Sequence, residues 1–346
     1  MTTRRKTIAA AAFTMAVLGA GQASAAEFEF KLHQFLSANA PAQTQMLQPW
    51  ADAVAEASGG RVLIEIFPSM TLGGRPPELI SQVRDGVVDL VWTANGYTPG
   101  LFPRTEVFEL PTVFTNDPAA TNMAMAEMFE ADLAEEYAGV EVMFLHVHSG
   151  QGIQMGNAEV RSPDDLEGMQ LRIPTRTGAW VIEALGASPV AMSVPDLPAA
   201  LQKGTVDGAL IPWEIIPPLK IQEQTEFQIE GADETRFGNT VFQVSMNQAR
   251  WDGLPEDIQQ AFRDASGGDW PQTVGEIWRA ADDFGINMAV ESGNTHITLT
   301  DDETAEFKER LLPVVDRWIE EVSGLGIDGA AMVEKARATT EANATR

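Results

Sequence analysis

Arg172 is the residue whose type and position carry the most chemistry. In the run Met169-Gln170-Leu171-Arg172-Ile173-Pro174, Met169, Leu171 and Ile173 share one face of an extended segment, and Arg172 projects from the other face near its carboxyl end. Open α/β sheets bind ligands outside such ends. A guanidinium there presents a planar fork suited to a carboxylate through two charge-assisted hydrogen bonds. The alternative for Arg172 is a structural ion pair with one of the chain's 50 acidic residues. Pro212-Trp213-Glu214 follows another strand end, and it offers a flat indole wall with one donor beside a carboxylate that can accept from a hydroxyl or hold a cation. The alternative for this pair is a lid packed on a helix. Trp92, Asn95 and Tyr97 end a third strand and would face the same crevice. His33 closes the first strand, and His146 and His148 lie two apart at a strand end. The two could hold a metal from one face, but a third ligand at convincing spacing is missing, so the pair reads as one packed and one site-lining histidine.

Catalytic signatures are scarce. There is no Gly-x-Ser-x-Gly elbow, phosphate loop, dinucleotide fingerprint, His-Glu-x-x-His helix or calcium-loop pattern. The chain has no cysteine, which removes thiolate nucleophiles, disulfides, iron–sulfur clusters and thiolate zinc sites. A formal charge of −27 repels polyanions over most of the surface and argues against a nucleic-acid partner.

The elements that must position these residues follow from punctuation and periodicity. The 346 residues, 44% hydrophobic and 21% charged, give room for two ordinary domains. Arg4, Arg5 and Lys6, the Ala- and Leu-rich run from Thr7 to Ala20, and Ala23-Ser24-Ala25 read as a secretory signal peptide over residues 1–25, cleaved near Ala25. Its removal takes three of the 23 basic residues and none of the 50 acidic ones, leaving a net charge of −30. The expected product is a free periplasmic protein.

Phe28 to His33 alternates like a strand, and Met46, Trp50, Ala53, Val54 and Ala57 recur at helical spacing until Gly59-Gly60 stops them. Strands are expected over 62–67, 87–93, 169–174, 189–192, 206–211 and 242–246, with helices between most of them. Such alternation predicts parallel pairing in an α/β fold. Gly86-Val87-Val88-Asp89-Leu90-Val91 is echoed by Gly204-Thr205-Val206-Asp207-Gly208-Ala209, which fits two lobes of similar design. After residue 246 the chain reads as mainly helical, over 255–265, 273–288, 302–322 and 330–343.

Three segments together resemble a known family: Leu166-Glu167-Gly168-Met169-Gln170-Leu171-Arg172-Ile173-Pro174, then Ala184-Leu185-Gly186-Ala187-Ser188-Pro189-Val190, then Ala200-Leu201-Gln202-Lys203-Gly204-Thr205-Val206-Asp207-Gly208. In order and spacing they look like the core signature of the extracytoplasmic solute receptors of TRAP transporters, the DctP family. Further similarity covers Gly59-Gly60-Arg61, Phe67-Pro68, Leu72-Gly73 and Phe102-Pro103.

The resemblance implies a two-lobed, periplasmic-binding-protein-like α/β fold with a hinge and an interlobe ligand cleft. The expected division is 26–149 with 238–277 for the first lobe, and 150–237 with 278–346, including C-terminal helices, for the second. It also implies a receptor rather than an enzyme, one that hands its ligand to a permease of a small and a large membrane subunit, with Arg172 on the substrate carboxylate.

The stretch His146-Val147-His148-Ser149-Gly150-Gln151-Gly152-Ile153-Gln154 lacks the second arginine of sialic-acid receptors. It looks more like the subgroup with a His-x-His-Gly-Pro-Gly-like segment, from which Ser149 and Gln151 depart. His148, Gln151 and Gln154 thereby join the candidate ligand-binding residues. The expected ligand is a small monocarboxylate, aromatic or bearing an oxo or hydroxy group. Some keto-acid receptors of the family hold carboxylate through a cation on glutamine, tryptophan and glutamate, for which Gln154, Trp213 and Glu214 would stand here; otherwise no cofactor is expected. Two other functions remain in view, a periplasmic enzyme acting on a carboxylic acid through His148 and Glu214, and a subunit presenting bound ligand to a sensor kinase.

Overall fold

The structure, a computed structural model, describes residues 26–114 and 116–344. The signal peptide expected over residues 1–25 lies outside the described residues. None of the described helices is long and apolar enough to cross a membrane.

Two sheets organise the chain. The first contains β1 (Phe28–His33), β2 (Val62–Phe67), β3 (Leu90–Ala94), β4 (Val140–Val147) and β10 (Val241–Asn247), in the order β2-β1-β3-β10-β4. The second contains β5 (Gly152–Met155), β6 (Gln170–Ile173), β7 (Ser188–Ala191), β8 (Gly208–Ile211), β9 (Phe227–Glu230) and β11 (Thr295–Thr298), in the order β11-β9-β5-β8-β6-β7. Each sheet is the centre of one α/β lobe. The two sequence echoes lead into β3 and β8, whose carboxyl ends both reach the interlobe cleft.

Parallel pairing holds for β1 with β2 and β3, for β6 with β7 and β8, and for β9 with β11. The expectation of wholly parallel sheets is corrected at two strands. β10 runs antiparallel to β3 and β4, and β5 antiparallel to β8 and β9. The reason is the path of the chain. β4 ends at the cleft and the chain crosses to begin β5 there, then returns after β9 to begin β10, so Val241 lies opposite Val147 and Gly152 opposite Ile211. The two crossing segments hydrogen-bond side by side, Gln151 N to Gly238 O and Phe237 N to Gln151 O, both at 2.9 Å.

A third crossing is the helix Trp270–Glu291, which packs on the helix Pro118–Met128 of the first lobe and on the turn Trp213–Ile215 of the second. The helix Asp301–Ser323 starts with a capping box in which Thr300 and Glu303 satisfy each other's backbone donors. The last helix, Gly329–Ala344, departs from the expected grouping with the second lobe. It packs on Pro118–Met128 and ties to the first lobe through Lys335 Nζ to Asp132 at 2.6 Å and Arg337 Nε to Thr112 O at 3.1 Å. It thus wraps back across the hinge.

Candidate ligand-binding site

A cavity lies between the lobes, lined by residues of both sheets and of the crossing helix. Its first wall follows from strand parity. Trp92 on β3, Phe242 on β10 and His146 on β4 fall on one face of the first sheet because Ala94 pairs with Phe242 and Phe242 with His146. Their rings lie nearly parallel. Phe35 stacks on Trp92 at 4.7 Å and 7°, Trp92 on Phe242 at 5.2 Å and 12°, and His146 on Phe242 at 5.0 Å and 9°, while Trp278 of the crossing helix lies over His146 at 5.3 Å and 12°. Trp92 Nε1 donates to His146 Nε2 at 2.8 Å, and burial pushes His146 down to about 3, so the imidazole behind the wall is a neutral acceptor. Phe35, Trp92, Phe242 and Trp278 face the cavity.

The opposite wall holds Arg172, 2% exposed. Its Nε donates to Met192 O at 3.0 Å and its Nη1 to Leu210 O at 3.5 Å, while the buried Nη2 has no partner. Among the described residues no carboxylate lies within ion-pair distance of this guanidinium. The structural ion pair weighed as its alternative role is therefore not formed. Burial lowers the Arg172 pKa, opposed by the neighbouring Tyr97 hydroxyl; an arginine so placed still keeps its charge. By contrast the other deeply buried arginine, Arg236, pairs with both Glu230 and Asp282 and lies 4.3 Å over the Trp213 ring.

The hinge end of the cavity is polar. His148 Nδ1 accepts from Gly150 N at 3.0 Å, which leaves the ring proton on Nε2. Burial, helped by the charges of Arg172 and Arg236, holds His148 well below its ordinary range, hence neutral. Gln151 Nε2 donates to Thr240 Oγ1 at 2.9 Å, and its Oε1 is buried without a partner. Glu214 Oε2 is likewise buried and unpartnered. Burial and then the neighbouring Asp282 charge raise the Glu214 carboxyl well above the usual range, and its side chain is hydrogen-bonded to Asp282.

Closure of the two lobes is written in contacts that cross the cleft. Tyr97 Oη, after β3, accepts from Val194 N, after β7, at 3.0 Å. Gly96 approaches Thr175 so closely that an added Cβ would stand 2.2 Å from the threonine methyl. Arg176 clasps Glu106 through Nε at 2.7 Å and Nη2 at 2.6 Å, and Thr177 Oγ1 donates to Glu109 at 2.6 Å.

Of the residues singled out in the sequence, Arg172, Glu214, Trp92, Tyr97, His148 and Gln151 line this one cavity. Four others lie elsewhere. Trp213 is clamped behind the wall, where a Cβ on Gly152 would meet its ring at 2.2 Å and one on Gly285 its carbonyl oxygen at 2.1 Å, and its Nε1 is taken by Gln228 at 3.1 Å. Asn95 is used up between Tyr137 Oη at 2.8 Å and Gln243 at 2.7 Å. His33 bonds Gln82 at 2.7 Å on the first lobe. Gln154 shares a row of the second sheet with Ala209 and Arg172, but Ala209 separates them and both its side-chain polar atoms are buried without partners.

The cation site does not fit these positions. The Trp213 carbonyl is covered by the crossing helix at Gly285, Gln154 is outside the cavity lining, and Glu214 lies against Asp282. Sequence reasoning missed Phe35, Thr240, Phe242 and Trp278, whose aromatic members read as ordinary core. Only the parity of β10 against β3 could have placed Phe242 at the cleft.

The model of the family described as bacterial extracellular solute-binding protein, family 7 (DctP) matches residues 32–321. A solved TRAP solute-binding protein from a marine metagenome, specific for aromatic acid ligands and in complex with metahydroxyphenylacetate, is 34% identical with a TM-score of 0.89, covering 92% of this chain and 99% of that one. A TRAP solute-binding protein of Rhodoferax ferrireducens T118, in complex with copurified benzoate, is 35% identical with a TM-score of 0.88, covering 92% and 98%. The 2,3-diketo-L-gulonate-binding periplasmic protein YiaO of Escherichia coli is 26% identical over 61% of this chain and 63% of that protein. Fold, closure contacts and these matches converge: the chain belongs to the DctP family of extracytoplasmic solute-binding proteins, receptors that bind small molecules for TRAP permeases and are not enzymes.

Proposed function

We propose that this chain is a periplasmic receptor for an aromatic monocarboxylate, with Arg172 as the carboxylate's partner. The observation that carries the reading is a fully buried guanidinium without a counter-ion, across the cavity from a slab of parallel aromatic rings. One unpaired cation calls for one anion. A second ligand carboxylate would lie toward the Glu214 carboxyl, a neutral His148 and the charge of Asp282, which disfavours dicarboxylates. The flat rings supply stacking that a sugar acid or short aliphatic acid would not use. The two relatives at 34% and 35% identity, described with metahydroxyphenylacetate and benzoate, support the same class.

In this reading residues 26–149 with 238–277 form one lobe and 150–237 with 278–346 the other, save that the final helix returns to the first. Cleavage after the signal peptide, near Ala25, releases the receptor to the periplasm, and the closed, loaded form meets the small and large permease subunits.

A thermal-shift panel tests it: the mature chain against benzoate, phenylacetate, mandelate, succinate and glucuronate, each with and without chelator. Ligand at a hundredfold over its dissociation constant adds about 2.7 kcal/mol of stability. Aromatic acids are expected to raise Tm regardless of chelator. A shift with succinate or glucuronate alone overturns the proposal.

A further inference from the structure

Arg172 accounts for one end of the ligand, yet the cavity holds two more unsatisfied polar atoms. Gln151 Oε1 and Glu214 Oε2 are both buried, both on cavity-lining side chains and both without a partner. Gln151 and Glu214 are 0% and 5% exposed, so bulk water does not satisfy them in the closed form. Each such atom carries an uncompensated desolvation cost while it stays without a partner.

The two sit away from the arginine. Gln151 leads into β5, which is separated from β6 by β8, so two strand spacings put it about 10 Å to the side of Arg172. Glu214 follows β8 by the turn at Trp213–Ile215. Both residues are anchored. Gln151 Nε2 is held by Thr240 Oγ1 at 2.9 Å, and the Glu214 backbone N–H donates to Asp282 Oδ1 at 3.3 Å while Trp213, just before it, is clamped by glycines.

From this geometry we propose that Gln151 and Glu214 form a second recognition point, which selects aromatic acids bearing a ring hydroxyl over their unsubstituted parents. The hydroxyl donates to Gln151 Oε1, which lacks a donor, while the Glu214 carboxyl, hydrogen-bonded to Asp282, borders it. An unsubstituted ring would leave Gln151 Oε1 unpaired in a dry pocket, the situation in which a missing hydroxyl is most heavily discriminated.

The inference rests on the aromatic-acid reading above. The test is calorimetry of the mature chain with benzoate, 3-hydroxybenzoate and 4-hydroxybenzoate, and with phenylacetate and its two ring-hydroxylated counterparts. In the wild type at least one hydroxylated acid is expected to bind tenfold or more tighter than its parent. Gln151→Met and Glu214→Met should each shrink that ratio, with Tm of the unliganded variants recorded to show that they fold.

If benzoate and phenylacetate bind as tightly as every hydroxylated acid, this inference fails and the aromatic-acid reading stands. If no aromatic acid binds, both fail. A preference that survives undiminished in both folded variants also overturns it. If one variant does not fold, the wild-type ratio and the other variant decide.

Discussion

Replacing Arg172 by methionine separates a ligand anchor from a structural residue. The guanidinium makes two protein bonds, to Met192 O and Leu210 O. The long 3.5 Å bond to Leu210 and the unpartnered Nη2 leave about two donors for a carboxylate. Hydrogen bonds to charged groups are worth about 1.5–3 kcal/mol each, and truncating one partner of a buried charge pair costs about 2–5 kcal/mol. The expected loss is therefore about 3–5 kcal/mol, or roughly two to three and a half orders of magnitude in Kd.

The unliganded protein should respond in the opposite sense. A buried guanidinium with no counter-ion is costly, and an apolar side chain of similar length removes that cost, so Tm without ligand is expected to stay level or rise. Calorimetric titration with benzoate, read beside thermal unfolding with and without it, checks both halves. Arg172→Lys keeps the charge but not the fork, and should still lose at least about tenfold. Affinity within threefold of wild type in the methionine variant would refute the reasoning. So would a marked fall in the unliganded Tm, since that would make Arg172 a buttress for the two carbonyls.

Other expectations follow from the closure contacts. Tyr97→Phe removes the acceptor for Val194 N, and a loss of about 1 kcal/mol should appear mainly as faster ligand release in stopped-flow traces. Gly96→Ala places a methyl 2.2 Å from Thr175; affinity should fall tenfold or more while the open protein's Tm barely moves, and small-angle scattering should show that ligand no longer compacts it. Burial, then the nearby Glu106, push Glu109 up to about 8 from the usual 4.5. The native state therefore holds a proton that the unfolded chain releases. This contribution is full below about pH 4.5, falls by up to about 1.4 kcal/mol per pH unit and is lost by about pH 8. Urea midpoints between pH 5 and 9 should follow that slope, and Glu109→Gln should flatten it.

Alternation made the half-exposed strands legible, while the segments at the crossings hid the rest. Phe28–His33 and Val62–Phe67 are half-buried and show their period plainly. β5 is buried at all four positions and shows no period, and β11 is four residues between two long helices, so neither was readable. The antiparallel course of β5 and β10 depends on where the chain crosses the hinge, which no local pattern records. At the site, Arg172 stood out because a charge in an apolar strand is conspicuous. Trp213 misled for the converse reason: a tryptophan beside a glutamate looks like a binding wall, and only Gly152 and Gly285, distant in sequence, reveal the clamp.

The two buried arginines show how such a receptor can be made to close on its cargo. Arg236, paired with Glu230 and Asp282 at the crossing segments, is satisfied without ligand and holds the hinge in register. Arg172 is satisfied only when an anion arrives. An empty closed state must bury that guanidinium unpaired, while the open state leaves it to water, so the empty equilibrium is tilted toward open. The ligand carboxylate removes the penalty in the closed state alone, and a ligand shifts a conformational equilibrium only by such a difference between states. Water excluded by Trp92, Phe242 and Trp278 then strengthens the pair it helped to form. The missing counter-ion is thus part of the closing mechanism.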